Sequence, residues 1–315
     1  MVPTIEDIHL AAGRIRAHAH RTPVLTCAGI DAMCGASLFF KCENFQKVGA
    51  FKFRGAANTV FSLTDDEAAR GVVTHSSGNH AAALALAARL RGCTARIVMP
   101  SNAPAIKKAA VAEYGGIITY CAPTLEARET ATAALIAEFG SMLVHPYDDE
   151  RIIAGQGTAA LELLEEQPDL DIVMAPVGGG GLLAGTAIAV TERSPRTRVI
   201  AAEPERADDA FRSLREKRIV PSVDPDTIAD GLLTSLGEQT FPIILARVER
   251  VVLVSERGIV NAMRHIWERM KIIVEPSAAV SLGAILEQRI DVSGMRVGII
   301  LSGGNVDMER LPWNV

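Results

Sequence analysis

Two phenylalanines, Phe51 and Phe53, flank Lys52 in the segment VGAFKFRGA at residues 48–56. An ammonium group surrounded by aromatic side chains loses hydration, which lowers its pKa and leaves more of the neutral amine available as a nucleophile. A lysine on a solvated face would need no aromatic neighbours. The segment therefore predicts that Lys52 is a catalytic nucleophile.

Four consecutive glycines, Gly178, Gly179, Gly180 and Gly181, precede Leu182 between a strand-like segment and a helical one. Glycines let successive backbone N–H groups point at an anion, and the N-terminus of the following helix adds partial positive charge. A glycine-rich string alone is also typical of a flexible turn. Its position between strand and helix favours a phosphate site.

The same glycine run leaves a second interpretation open. Gly179, Gly181 and Ala184 fit the pattern G-x-G-x-x-A, and Glu203 ends the next strand-like segment, as an acid that binds a ribose would. On these residues alone, a nicotinamide-dependent oxidoreductase is a competing hypothesis.

Polar residues also follow the apolar segment at residues 72–74. Ser76, Ser77, Asn79 and His80 precede an alanine-rich helical segment, whose N-terminus they would cap. Capping accounts for one such residue but not for the whole group. Hydroxyl, amide and imidazole groups at a helix N-terminus can also bind a substrate carboxylate and donate to a cofactor oxygen.

Ser302 follows the last strand-like segment and can hydrogen-bond a heterocycle without fully protonating it. Together these residues supply an amine, a phosphate site, a polar loop and a hydroxyl for a ring nitrogen. Pyridoxal phosphate needs all four, because its aldehyde forms an imine with a lysine and its ring accepts electrons from a carbanion. A nicotinamide enzyme has no use for a lysine in the setting of Lys52.

The elements that position these residues are short apolar strands that alternate with alanine- and leucine-rich helices. The strands are apolar throughout, which predicts an α/β fold with parallel sheets covered by helices on both faces. We predict a small substrate domain at residues 65–145, inserted into a large cofactor-binding domain at residues 1–64 and 146–315. Ligands of such folds bind beyond the carboxyl ends of the strands, where the candidate loops lie.

The composition of the 315-residue chain narrows the class of partner. A formal net charge of -5 gives no electrostatic reason to expect nucleic acid or an anionic membrane, so small molecules are the expected ligands. No apolar run approaches the roughly 18 residues of a membrane span, and the N-terminus lacks the pattern of a secretion signal. Five cysteines without close-spaced pairs predict reduced thiols, and we expect the protein in the cytoplasm.

Several ordered motifs resemble those of the fold-type II pyridoxal phosphate enzymes, which have the tryptophan synthase β-like fold of two parallel-sheet domains. The branch they resemble is that of the serine/threonine dehydratases and serine racemases. The resemblance covers almost the whole chain, with motifs at residues 20–25 (HRTPVL), 41–46 (KCENFQ), 51–56 (FKFRGA), 76–80 (SSGNH), 178–181 (GGGG), 228–231 (IADG), 275–277 (EPS) and 302–305 (SGGN).

The resemblance implies a role for each candidate residue. Lys52 would carry the cofactor, residues Gly178 to Leu182 would hold its phosphate, and its ring would contact Phe51, Gly231, Asn79 (at the ring oxygen) and Ser302 (at the ring nitrogen). The substrate carboxylate would bind at Ser76, Ser77, Asn79 and His80. Ser77 also matches the hydroxyl that acts on the substrate face opposite the lysine in racemases.

The resemblance also implies a divalent-cation site made of Glu203, the backbone carbonyl of Ala207, and Asp209. Such oxygen ligands suit magnesium or calcium. Glu203 is then a metal ligand rather than a ribose ligand, and a solvated acidic turn is the third interpretation of the segment.

The implied reaction is dehydration of L-threonine or L-serine to a 2-oxo acid and ammonia, with racemisation if Ser77 returns a proton. A hydroxyl at Ser302 should leave the ring nitrogen unprotonated and favour elimination. Arg128 matches an arginine near the substrate of serine racemases, which would suit the second carboxylate of 3-hydroxyaspartate; a surface helix arginine is the alternative. A non-catalytic amino-acid-binding protein is a further hypothesis, and relatives suggest a homodimer.

Overall fold

The computed structural model describes residues 2–76, 78–103 and 105–313. The strands in this part of the chain are β1 (Val24–Leu25), β2 (Ser37–Cys42), β3 (Val72–His75), β4 (Ala95–Pro100), β5 (Ile117–Cys121), β6 (Met142–Leu143), β7 (Ile172–Pro176), β8 (Arg198–Pro204), β9 (Arg250–Val254) and β10 (Arg296–Leu301). The α-helices are α1 (Ile5–Ile15), α2 (Ala28–Cys34), α3 (Lys52–Phe61), α4 (Asp65–Arg70), α5 (Asn79–Arg91), α6 (Ala105–Glu113), α7 (Leu125–Phe139), α8 (Glu150–Glu166), α9 (Gly181–Arg193), α10 (Asp209–Glu216), α11 (Thr240–Arg247), α12 (Glu256–His265) and α13 (Pro276–Leu286).

The strands form two sheets. The larger has six strands in the order β1-β2-β10-β7-β8-β9, and the smaller has four in the order β5-β4-β3-β6. All neighbouring strands pair in parallel except the short β1, which pairs antiparallel to β2. The predicted α/β fold with two parallel sheets is therefore confirmed.

Apolar residues on both faces of the larger sheet explain why helices cover both sides. Val173 and Ala175 of β7 pack into one core with α8, α9 and α1, whereas Ile172 and Met174 pack into another with α12 and α13. Successive side chains of a strand point to opposite faces, so a strand that is apolar throughout must be covered twice.

The four strands of the smaller sheet all lie between residues 72 and 143, inside the segment predicted as the substrate domain. Helix α3 also packs against the core of this sheet through Phe53, Ala57 and Val60, although it precedes the predicted boundary. The exact domain boundaries remain a prediction.

Helix α3 is held very close to α8. A Cβ atom on Gly55 would lie 2.9 Å from the carbonyl oxygen of Ile152, and one on Gly155 would lie 2.6 Å from the Cα of Gly55. Only glycine permits two helix backbones to approach so closely.

Buried charges add to this contact. Arg54 is fully buried and donates to Glu43 at 2.7 Å and to Glu162 of α8 at 2.7 Å. Lys41 of β2 donates to the same Glu162 at 2.6 Å. A buried charge is tolerated only when it is paired and hydrogen-bonded, so this cluster fixes the start of α3 relative to β2 and α8.

No helix among the described residues combines the length and the apolar character needed to cross a membrane.

Candidate active site

The loops at the carboxyl ends of β3, β6, β7 and β10 surround one cavity of about 670 Å³ together with the start of α3. It brings together most of the predicted site residues, namely Phe51, Lys52, Ser76, Asn79, His80, Arg128, Gly178, Gly179, Gly180, Gly181, Leu182, Gly231 and Ser302. Ser77 lies outside the described residues. Glu203, Ala207 and Asp209 do not line the cavity.

Lys52 is the first residue of α3, and its Nζ donates to the carbonyl oxygen of Pro146 at 2.7 Å. Loss of solvent lowers the pKa of Lys52 to about 8, and the negative charge of Glu275 opposes this shift. The amine lies 5.2 Å from the centre of the Phe51 ring. A lysine that loses its proton near pH 8 can serve as a nucleophile or base at physiological pH.

The four glycines form the turn between β7 and α9, where the cavity wall has no space for side chains. A Cβ on Gly179 would overlap the ring of Tyr147, and one on Gly178 would lie 2.9 Å from the Cα of Leu232. Gly180 has a φ of +91°, which favours glycine for conformational reasons as well.

Helix α9 begins at Gly181, and no side chain caps its N-terminus. Its first N–H groups are therefore available to an anion. The turn and the helix end would suit a phosphate group such as that of pyridoxal phosphate, and this role stays a prediction.

Asn79 is the first residue of α5 rather than its N-cap. The N-cap position is occupied by Gly78, which has no side chain to cap the helix. The Nδ2 atom of Asn79 donates to both carboxylate oxygens of Glu275, at 3.1 Å each. Ser76 accepts from the Gly78 N–H at 3.3 Å. The helix-capping interpretation of Asn79 is therefore wrong, and its amide faces the cavity side.

His80 is buried and its Nε2 hydrogen-bonds the carbonyl oxygen of Val144 at 3.2 Å. Burial lowers the pKa of His80 well below its usual range, and the positive charge of Lys52 adds to the shift. The ring is neutral, with Nε2 as donor because its partner is a carbonyl. Its Nδ1 has no hydrogen-bond partner among the described residues, which leaves one acceptor at the cavity wall.

Ser302 follows β10 and is buried at the end of the cavity. Its carbonyl oxygen accepts from the Phe51 N–H at 3.0 Å, which ties the last strand to the residue before Lys52. The Gly231 N–H donates to Ser277 at 3.0 Å, and this bond fixes the opposite wall.

Sequence reasoning gave no role to several cavity residues: Glu275 appeared only within the motif at residues 275–277, and His145 and Tyr147 were missed. The Nδ1 atom of His145 accepts from the N–H groups of Tyr147, at 3.3 Å, and Asp148, at 2.8 Å. Burial lowers the pKa of His145 to about 4, so the ring is neutral. These residues follow β6, and the rule that ligands bind after parallel strands would have pointed to His145 and Tyr147.

Arg128 of α7 lies half-buried on the wall that belongs to the smaller sheet, near His75 and Lys107. Burial lowers the pKa of His75, and the charge of Arg128 contributes. Lys107 forms an ion pair with Asp230 at 2.5 Å, whereas Arg128 forms none with any residue in the described ranges. The Arg128 guanidinium donates to the carbonyl oxygen of Thr124 at 3.4 Å, one turn earlier in the same helix.

The predicted metal ligands lie elsewhere. Glu203 is the penultimate residue of β8 and accepts from the N–H groups of Ala210 and Phe211, at 2.8 Å each. Asp209 is 1% exposed, and neither of its carboxylate oxygens has a hydrogen-bond partner among the described residues; Ser222 lies near enough to lower its pKa but not in bonding geometry.

Burial raises the pKa of Glu203 to about 9, and the negative charge of Asp209 contributes to this rise. Burial also raises the pKa of Asp209, to about 7. Two buried carboxyl groups, neither in an ion pair with a side chain of the described residues and one without any hydrogen bond, suit a bound cation. The described residues contain no group of three or more His, Cys, Asp or Glu side chains that would bind a metal alone, so such a cation would need backbone oxygen atoms.

Comparison with known proteins agrees with this geometry. The family model described as "Pyridoxal-phosphate dependent enzyme" matches residues 15–303. The beta-hydroxyaspartate dehydratase of Paracoccus denitrificans is 50% identical over 313 residues, which cover 99% of each chain.

Two solved structures are also similar. The serine racemase of Dictyostelium discoideum has a TM-score of 0.94 and 50% identity, with 97% of this chain and 99% of that one covered. The T.th. threonine deaminase has a TM-score of 0.92 and 44% identity, with the same coverage. The resemblance seen in the motifs is confirmed, and the chain belongs to the pyridoxal-phosphate dependent enzyme family.

Proposed function

We propose that the protein removes water and ammonia from a hydroxyamino acid of the L-serine or L-threonine type, and so releases a 2-oxo acid. The observation that carries this proposal is the single cavity in which Lys52, the glycine turn and the Ser302 hydroxyl come together. The similar proteins support it, because their names include a dehydratase and a deaminase.

Pyridoxal phosphate supplies an electron sink that makes the Cα proton of a bound amino acid acidic. Lys52 is the base that removes this proton, because its amine is neutral above about pH 8. The Pro146 carbonyl holds the amine in place. Ser76, Asn79 and His80 form the polar wall for the substrate carboxylate, with Ser77 between them in sequence.

Racemisation is a second proposed activity and depends on proton return by Ser77. A serine racemase of Dictyostelium discoideum is 50% identical over 314 residues, which supports this proposal. Ser77→Ala should abolish racemisation, because the proton is no longer returned on the face opposite Lys52, while elimination continues. Chiral chromatography measures the first activity, and release of 2-oxo acid measures the second.

The main test is a coupled assay of 2-oxo acid and ammonia over both enantiomers of serine, threonine and 3-hydroxyaspartate. We expect release from at least one L-hydroxyamino acid and none with Lys52→Ala. A Lys52→Ala protein that retains amino-acid binding, together with a native protein that releases no ammonia, would instead support the binding-protein hypothesis.

A dicarboxylic substrate, 3-hydroxyaspartate, is favoured by one observation, the Arg128 guanidinium on the cavity wall without an ion-pair partner among the described residues. A guanidinium can bind a second substrate carboxylate with two hydrogen bonds. Two relatives support this candidate, since the L-threo-3-hydroxyaspartate ammonia-lyase of Saccharomyces cerevisiae is 48% identical, in addition to the Paracoccus dehydratase.

Arg128→Met should therefore lower kcat/KM for 3-hydroxyaspartate by about 10- to 100-fold, because a charge-assisted bond is lost, with little change for L-serine. Arg193→Met, an exposed arginine on α9, is the control. Equal losses for both substrates with Arg128→Met would contradict a role in binding the second carboxylate.

We also propose a magnesium or calcium ion at Glu203, the Ala207 carbonyl and Asp209. Binding to the folded state alone should raise the Tm by roughly 5 °C at saturating cation, since ligand binding stabilises by mass action. Asp209→Asn should remove this response, whereas Asp208→Asn, which loses an ion pair with Arg212, should retain it. A protein whose Tm ignores both cations and a chelator would contradict the site.

The proposed cytoplasmic location and homodimer remain predictions; sedimentation of the holoenzyme measures the latter.

A further inference from the structure

Glu275 is a buried carboxyl group that the proposed reaction does not use. Only 4% of its surface is exposed. It stands at the N-cap of α13, yet its side chain forms no capping bond with that helix. The carboxylate lies at the cavity wall instead, where a Cβ on Gly303 would come within 2.7 Å of its Oε1. The space that Gly303 leaves is filled by this carboxylate.

Two asparagines bind this carboxylate. Asn79 donates to both oxygens at 3.1 Å, and the backbone N–H of Asn305 donates to Oε2 at 3.2 Å. The Asn305 side chain donates in turn to Oδ1 of Asn79 at 3.0 Å and to the carbonyl oxygen of Val48 at 2.8 Å. The Asn79 amide is therefore held at both its nitrogen and its oxygen.

This arrangement permits only one orientation of the Asn79 amide. A rotation by 180° would place Oδ1 against the Glu275 carboxylate and two NH₂ groups against each other. Because Nδ2 is equidistant from the two carboxylate oxygens, one N–H can serve both. The second N–H of Asn79 then remains available at the cavity wall.

The charges around Glu275 come from three other elements. Burial raises the pKa of Glu275 to about 7, and the negative charge of Asp230 adds to this rise. The hydrogen bonds from Asn79 and Asn305 and the positive charge of Lys107 of α6 lower the pKa. Lys52 of α3 feels the Glu275 charge as well. Only the ionised carboxylate accepts at both oxygens, since a protonated carboxyl group can donate to Oδ1 and favour the opposite amide orientation.

We propose that Glu275 is a positioning residue, which orients the Asn79 amide so that its free N–H faces the ring oxygen of bound pyridoxal phosphate. The proposal rests on the proposed function and on the contact between Asn79 and the ring oxygen that the family resemblance implies. Glu275 acts on the cofactor through Asn79, and its charge separately raises the pKa of Lys52.

The test is a double-mutant cycle on the reloaded protein, with the dissociation constant of pyridoxal phosphate and the position of its visible absorbance band as readouts. Glu275→Gln should raise the dissociation constant by about tenfold and shift the band, because a charge-assisted bond to Asn79 is lost. At pH 9, where Lys52 is largely neutral with or without the Glu275 charge, the same substitution in an Asn79→Ala background should change the constant by less than about twofold, since the residue through which Glu275 acts on the cofactor is absent.

A pH titration of the dissociation constant adds a readout that a structural role would not change. The wild type should lose affinity as the pH falls through about 7, where Glu275 takes up a proton. Glu275→Gln should lack this component, and its Lys52 component should move from about pH 8 to lower pH, because the Glu275 charge that raises the Lys52 pKa is lost.

Two further variants serve as a control and as a substitute for Glu275→Gln. Asp230→Asn removes a negative charge from the same wall but contacts Lys107 rather than Asn79, and should leave the band unchanged. If Glu275→Gln does not fold, the exposed Asn305→Ser removes the other bond to Asn79 and should show the same dependence on the Asn79 background.

The proposal would be overturned if Glu275→Gln weakened cofactor binding equally with Asn79 and with Ala at position 79. An unchanged absorbance band in Glu275→Gln would also overturn it. A protein that binds the cofactor but releases no ammonia would refute the proposed function and leave this test readable. A wild type that binds no cofactor would overturn both.

Discussion

Lys52 is prepared for chemistry by its surroundings rather than by its own residue type. Loss of solvent lowers its pKa to about 8, and the Pro146 carbonyl accepts its hydrogen bond at 2.7 Å. An ordinary lysine has a pKa near 10.4, so it is protonated at neutral pH in all but about one molecule in a thousand.

The rate at which the apo-protein takes up pyridoxal phosphate should therefore rise with pH and level off above about 8. The reason is that the neutral amine is the attacking form, and a lowered pKa means that it predominates above that value. Stopped-flow absorbance between pH 6 and pH 10 measures this rate. A midpoint near the pKa of a free lysine would show that the cavity does not perturb Lys52.

The site residues that the sequence predicts lie next to strands and helices with a clear sequence pattern, whereas the others depend on contacts between distant parts of the chain. Lys52, the glycine turn and Ser302 stand beside strands and helices that the sequence pattern predicts. Glu275 lies 196 residues from Asn79, so their contact exists only after both sheets have formed. As metal ligands, Glu203 and Asp209 were predicted by resemblance alone, and no sequence pattern indicated that both would be buried.

At the scale of elements, the contact between α3 and α8 decides where Lys52 points. Gly55 and Gly155 bring the two backbones together, and the carbonyl of Arg54 lies 2.8 Å from where a Cβ on Gly155 would be. Arg54 is two residues from Lys52, so a shift of α3 at this point would move the amine.

Gly155→Ala should destabilise the protein by about 1–3 kcal/mol, because overpacking outweighs the gain in helix propensity of about 1 kcal/mol. It should also lower kcat, since α3 must move. The control is Gly13→Ala on α1, where an added Cβ meets nothing within 4 Å, and a small gain in stability is expected. Urea unfolding with turnover measures both, and equal stability of the two variants would contradict this account.

Most elements were predictable because each strand is a short apolar run. The exception is β1, in which two residues, Val24 and Leu25, pair antiparallel with β2. Val24 and Leu25 belong to no longer apolar run, since Pro23 precedes them and Thr26 follows, and only their partner across the sheet stabilises them. The place of α3 between the two sheets was also not predictable, because it depends on contacts with residues about a hundred positions away in α8.

At the scale of the whole molecule, the cavity is closed by parts of both sheets. Lys107 of α6 in the smaller sheet's layer bonds to Asp230, which precedes Gly231 on the opposite wall. This ion pair joins two lining residues of the cavity and is partly exposed.

Lys107→Met should raise the KM for L-serine by up to about fivefold, because a partly exposed ion pair contributes at most about 1 kcal/mol. The absorbance band of the cofactor should not change. Lys108→Met, which loses a bond to the Ser101 carbonyl and a contact with the Tyr120 ring but no contact with Asp230, is the matched control. An equal rise in KM in both variants would show that the Asp230 contact is not responsible.

The contact between Gly179 and Tyr147 also limits how the sequence can evolve. Gly179 follows a strand of the larger sheet and Tyr147 follows one of the smaller sheet, yet a Cβ on Gly179 would overlap the Tyr147 ring. An alanine at position 179 is therefore accessible only to a lineage that has already replaced Tyr147 by a smaller residue. The two positions should vary together among relatives, and the order of the two substitutions should be fixed.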